Sequence, residues 1–137
     1  MATIRRAQLI WITVTNGTTM QGAWVPFRDQ PELHNVLVDG ISTMDDVSLA
    51  YSPDGIPSIS AVAQDQAKIL LTLAEGSNLR VRQQPWALAN QNSNFGYYME
   101  LQPFTVNWQR SDVLVTAPLA KDSTAIPLMV FYRFPNE

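Results

Sequence analysis

Nine prolines, spread from Pro26 to Pro135, leave few windows in which this 137-residue chain could build a long helix. Each fixes its own φ and removes a backbone donor, so a proline inside a helix costs about 3 kcal/mol or more. Between them run short apolar segments closed by turn residues. Leu9 to Thr15 alternates, with β-branched and aromatic side chains, and stops at Asn16-Gly17, a hairpin-turn signal. "MQGAWVPF" breaks at "RDQPE", "NVLVDG" and "DVSLAY" flank "ISTMD", and "SPDGIP" makes another turn. No repeat of fixed period is visible. Short runs at this spacing predict an all-β chain of eight or more strands in two packed antiparallel sheets.

One window contests that reading. On a helix begun at Ile59, Val62, Ile69, Leu70 and Leu73 share a broad face and Gly76 is a fitting C-cap, but Leu71 falls with Gln64, Lys68 and Glu75 on the polar side. Downstream, "LRVRQ" alternates without a fault. A loop from Ala74 to Asn78 would pair Leu73 with Leu79 and Leu71 with Val81. That register collects Ile69, Leu71, Leu73, Leu79 and Val81 on one face and Thr72, Arg80 and Arg82 on the other. The alanines keep a helix over 59–75 as the alternative, and register selects the hairpin. The closing "IPLMVFYRF", Ile126 to Phe134, is apolar almost throughout, as a central strand covered on both faces would be.

Composition excludes several functions. The net charge of −3 and the presence of only two lysines, Lys68 and Lys121, argue against a nonspecific nucleic-acid binder, which needs a surplus of cations. Without cysteine there is no disulfide framework and no thiolate nucleophile or metal ligand. The start "MATIRRAQLIWITVTNG" is broken by Thr13, Thr15 and Asn16, with no small-residue cleavage pattern, and reads as a strand rather than a signal. No run approaches the roughly 18 apolar residues of a membrane span.

Nor is there a chemical constellation. His34 is the only histidine, so neither a His-based triad nor a two-His metal site can be assembled within one chain. Asp39, Asp45, Asp46 and Asp54 lie in turn-like stretches, and Asp-Gly at 39–40 and 54–55 is turn chemistry. Asn16-Gly17-Thr18 fits the glycosylation sequon, yet a hairpin turn accounts for it. No catalytic residue, cofactor or metal is expected.

The aromatic group is the exception. Trp86, Phe95, Tyr97, Tyr98, Phe104 and Trp108 lie within 23 residues among Asn and Gln, and "WALANQNSNFGYY" carries no charge over thirteen positions. Charge depletion with aromatic enrichment is the composition of interface centres. Aromatic faces beside amides also suit sugars. Alternation turns Tyr98, Phe104 and Trp108 inward, which leaves Trp86 and Tyr97 as the expected outward anchors, with Phe95 and Trp108 as further interface candidates. Residues 1–6, with Arg5 and Arg6, form a basic arm in an acidic protein, of the kind that orders only against a neighbour.

Read with the hairpin, "NVLVDGISTMDDVSLAYSPDGIPSISAVAQDQAKILLTLAEGSNLRVRQ" is a succession of strands separated by acidic, glycine, glutamine-containing and polar turns, and "IPLMVFYRF" supplies a proline-started, aromatic-rich final strand. In this pattern the chain resembles the small jelly-roll penton and minor capsid proteins of tailless icosahedral, tectivirus-like bacteriophages, over about two thirds of its length. The segment 86–110 has no counterpart and stands as an insertion. The resemblance implies a single jelly-roll domain over residues 1–137, located in the virion. It further implies a structural role, as a vertex or minor capsid component that assembles with copies of itself, in rings of five, and with other capsid proteins. The alternative is a carbohydrate-binding or receptor-recognition β-sandwich that uses the aromatics of 86–108.

Overall fold

The computed structural model describes residues 6–19, 22–42, 51–59, 63–86, 92–93, 96–97 and 99–135. Its strands are β1 (Arg6–Val14), β2 (Ala23–Pro26), β3 (Leu37–Ser42), β4 (Ile69–Glu75), β5 (Asn78–Pro85), β6 (Asn92–Ser93), β7 (Gly96–Tyr97), β8 (Met99–Phe104), β9 (Asp112–Val115) and β10 (Thr124–Arg133). Among the described residues, strands β6 and β7 pair only with each other. The other eight form two four-stranded antiparallel sheets, ordered β1-β10-β3-β8 and β2-β9-β4-β5. The chain passes from one sheet to the other at almost every connection, so that the strands wind as a single jelly roll.

Period-two alternation explains the core. Ile10, Ile12 and Val14 on β1 lie opposite Leu128, Ile126 and Thr124 of β10, and all six are buried. In the facing sheet Ile69 pairs with Val115 and Leu71 with Val113, again buried. These inner faces close on each other in one core cluster, which also takes in Phe104, Trp86 and Trp108. The final strand is central, flanked by β1 and β3, and every residue from Thr124 to Leu128 is buried. Its proline costs no ladder, since Pro127 sits opposite Trp11 near the strand's beginning.

Several local expectations need correction. Residues 63–68 form a 3-10 turn, after which β4 begins, so no continuous helix runs over 59–75. The hairpin exists, but its loop is only Gly76-Ser77. Glu75 pairs with Asn78 and Ala74 with Leu79, and Gly76 takes φ +57, as the first central residue of a type II′ turn requires. The short loop is reconciled with inward-facing Leu71, Leu73 and Val81 by extra residues on β5. From Ala74 to Leu73 the partner advances two places, and from Leu73 to Leu71 it advances three. Each is a β-bulge. Leu79 is consequently exposed rather than on the core face.

Asn16-Gly17 is not a hairpin turn, because β1 pairs with β10 and the chain crosses to the other sheet. Asn16 is left-handed (φ 57), while buried Gly17 donates to Asp122 O and accepts from Leu119 N, both at 2.8 Å. Asp39-Gly40 lies inside β3, where Asp39 is the extra residue of a bulge between Val38 and Gly40. Asp54-Gly55 is a turn as read: Gly55 (φ 78) donates to Ser52 O, and Ser52 N donates to Ile56 O. Asp45 and Asp46 lie outside the described residues.

The proposed insertion shrinks. From Met99 onward it is β8, an edge strand of the first sheet, followed by the buried Val106 and Trp108. The proposed arm shrinks too, since Arg6 opens β1 opposite Tyr132 and its guanidinium lies 4.5 Å from the centre of the Phe134 ring. Among the described residues no helix is long and apolar enough to cross a membrane.

Candidate functional site

Of the aromatic residues singled out by sequence, Trp86, Phe104 and Trp108 are buried and form no surface. Trp86 is 1% exposed, and its indole N–H donates to Pro127 O on β10 at 3.1 Å. Trp108 is 2% exposed and meets Phe27 edge-on at 5.5 Å, and Phe104 is equally buried. The reason is topological. Trp86 follows β5, where the chain leaves the sheet, and its ring closes the gap between that exit and β10. Trp86 itself belongs to the core rather than to an outward anchor. Trp86 and Trp108 are therefore withdrawn as contact residues, and Trp86, Phe104 and Trp108 as a sugar platform. Tyr97 pairs with Asn92 across β6–β7. Phe95, Tyr98 and Arg5 lie outside the described residues.

His34 is on the loop between β2 and β3 and is paired with Asp29, Nε2 to Oδ1 at 2.5 Å, with both side chains half exposed. The pair borders a cleft of about 300 Å³ lined by Asn107, Trp108 and Gln109. Here the Trp108 indole N–H is buried without an acceptor among the described residues. The Asn107 side-chain Oδ1 is used locally, accepting from Gln109 N at 3.2 Å. No hydroxyl nucleophile lines the cleft, so the His–Asp pair serves to fix the loop. Among the described residues no three His, Asp or Glu side chains converge as metal ligands.

A different set converges on the outer face of the β2-β9-β4-β5 sheet. Ala23 and Val25 turn toward the core side, so Trp24 points outward, half exposed at 50%. Cross-strand pairing aligns Trp24, Leu114 and Leu70 in one row, and Pro26, Asp112 and Thr72 in the next. Where these rows meet β5 there is a cavity of about 540 Å³, walled by Trp24, Leu79, Arg82, Gln83, Arg110 and Asp112 with Thr72 at its base. That volume falls in the range of about 300–1,000 Å³ usual for small-molecule sites.

The wall is chemically uneven. Asp112 Oδ1 is buried with no donor, and burial holds the carboxyl above its ordinary value. Arg110, at the end of the 3-10 turn Trp108–Arg110, makes no side-chain hydrogen bond or ion pair among the described residues, while Arg82 makes only a long 3.4 Å bond from Nε to Leu79 O. Arg80, by contrast, is committed to Glu75 at 2.6 Å. At the second bulge of β5, Gln83 adopts φ +47, left-handed backbone that a residue with a side chain rarely takes. Its N–H donates to Thr72 Oγ1 at 3.2 Å. The bulge turns the strand at the cavity's rim.

Of these residues, sequence reading placed Thr72 and Arg82 on the outer face but singled out none of Trp24, Arg110, Asp112 or Gln83. The available signal was the alternation of "AWVP", which sets Trp24 opposite in phase to its neighbours. In comparisons with known proteins, the chain matches no family model, no curated protein and no solved structure at a significant level.

Proposed function

We propose that the chain is a structural shell protein, a single jelly-roll vertex or minor capsid component of a virion. In this role it assembles with copies of itself, in a ring of five, and with other capsid proteins. The observation that carries the reading is the strand order, two four-stranded antiparallel sheets between which the chain alternates. Its surface supports the same reading. Only 15% of the chain is charged, and Tyr51 (64% exposed) and Phe134 (39%) offer aromatic contact area outside the core. The pattern of "IPLMVFYRF" as the closing strand links it to phage vertex proteins in particular, and a ring of five is a head-to-tail interface that closes.

The test is mass. Light scattering on the purified chain should give a discrete multiple of 15.3 kDa, and particle preparations should contain the chain at fixed stoichiometry. A 15.3 kDa species at every concentration, together with absence from particles, overturns the reading.

A further inference from the structure

We propose that the outer-face cavity between Trp24, Asp112 and the arginines Arg82 and Arg110 binds a saccharide that carries a carboxylate, of the uronic or sialic acid type. The inference does not depend on assembly and can be tested on the isolated chain.

Three independent observations converge on this ligand. Trp24 leaves half its surface in solvent beside Leu79 (43% exposed), a pair of apolar surfaces that no part of the described chain covers. A ring bearing axial C–H groups stacks on such an indole, as an extended polar chain does not. Next, the cavity combines an acceptor lacking donors with donors lacking acceptors: Asp112 Oδ1 on one side, Arg110 and the largely uncommitted Arg82 on the other. A polyol supplies both partners at once, since each hydroxyl donates and accepts. A phosphate or polyanion brings acceptors only and would set its charge against the Asp112 carboxylate. Last, two guanidinium groups against one carboxylate leave the wall positive in a protein whose net charge is −3, so an anionic substituent on the sugar is favoured there over a neutral one. The left-handed Gln83 fits the same picture: strained backbone and bulges gather where a strand must present a side chain to a ligand.

In the bound state the sugar ring lies on Trp24, its carboxylate accepts from Arg110 and Arg82, and a ring hydroxyl donates to Asp112. No bond is made or broken.

The experiment is an NMR titration of the full chain with four probes. These are 3′-sialyllactose and a tetrasaccharide alternating glucuronate with N-acetylglucosamine, lactose as the neutral control, and a short single-stranded oligonucleotide as the competing anion. The proposal expects saturable shifts of the Trp24 indole N–H and the Gln83 amide with an acidic saccharide, and weaker shifts with lactose. Trp24→Ala should weaken binding about tenfold through the lost stacking. Arg110→Gln should weaken it by roughly tenfold or more, as loss of a hydrogen bond to a charged group does. Asp112→Asn should also weaken it while leaving the melting temperature at neutral pH undiminished, a combination that a purely structural carboxylate would not give. Absence of saturable binding to either acidic probe overturns the proposal, as does binding that Trp24→Ala leaves intact. Lactose binding as tightly as the acidic sugars overturns the charge assignment. Equal shifts of the same residues with the oligonucleotide would make the site a nucleic-acid groove instead.

Discussion

Trp86 separates two accounts of its segment, because an interface anchor and a core residue fail in opposite ways when truncated. The ring is 1% exposed, and its N–H donates to Pro127 O, an acceptor on the central strand β10. Truncation to alanine removes the packing of a whole indole and leaves a cavity, a change that costs about 3–5 kcal/mol in well-packed cores. Trp86→Phe keeps most of the volume but strips Pro127 O of its donor, which costs about 1–3 kcal/mol. Against a total stability on the order of 5–15 kcal/mol, the alanine variant forfeits a large share. For a chain of this length each kcal/mol moves the midpoint by roughly 4 °C, so Trp86→Ala should melt on the order of 10–20 °C lower and Trp86→Phe some fraction of that. Urea unfolding followed by both far-UV circular dichroism and tryptophan fluorescence gives the free energies directly. The remaining indoles, Trp11, Trp24 and Trp108, keep the fluorescence probe available. If Trp86→Ala unfolds within about 1 kcal/mol of the parent but fails to assemble, the ring is a contact anchor after all and the core assignment is refuted.

Asp65 is fully buried and accepts from Lys68 Nζ at 2.9 Å and Ala120 N at 3.0 Å, tying the approach to β4 to the β9–β10 connection. Asp65→Ala should cost about 3 kcal/mol, the low end for a broken buried pair, because Lys68 is partly exposed and can turn to water; urea unfolding checks it. A Cβ on Gly17 would sit 2.6 Å from Lys121 O, backbone that cannot rotate aside, so Gly17→Ala should destabilise by about 1–3 kcal/mol in thermal melts. Burial raises the Asp112 carboxyl, so the folded state holds its proton more tightly than the unfolded chain does. The associated stability is full below the unfolded-state value and is lost as pH rises through the folded-state value. Asp112→Asn should therefore match the parent at acid pH and melt higher at neutral pH, whereas a difference constant across pH would dismiss the buried charge as its cause. Deleting β10 by truncation after Ser123 should abolish soluble expression, since β1 joins its sheet through β10 and β3 would lose one of its two neighbours; a soluble, folded truncation would contradict its central place.

What was legible in the sequence was the phase of each strand, and what was hidden was everything that depends on a partner strand. Alternation alone places Ile10, Ile12 and Val14 inward, and the continuous run of β10 declares a strand covered on both sides. The bulges of β5 are different. "LRVRQ" alternates perfectly on paper, yet Leu79 is out and Val81 in on a strand that advances two and three places against single and double steps of β4. A bulge exists only relative to the strand opposite, and no property of "LRVRQ" records it. The outer-face cavity is hidden for the same reason: Trp24, Asp112 and Arg82 meet because β2, β9, β4 and β5 lie side by side in that order. The segment around Trp86 shows a deeper ambiguity. Lack of charge is what desolvation selects, and desolvation by a neighbouring strand leaves the same composition as desolvation by a neighbouring protein. The two differ in where the indole N–H finds its acceptor. For Trp86 that acceptor is a carbonyl forty-one residues downstream in its own chain, so Trp86 marks the place where β5 ends and the core is closed against β10.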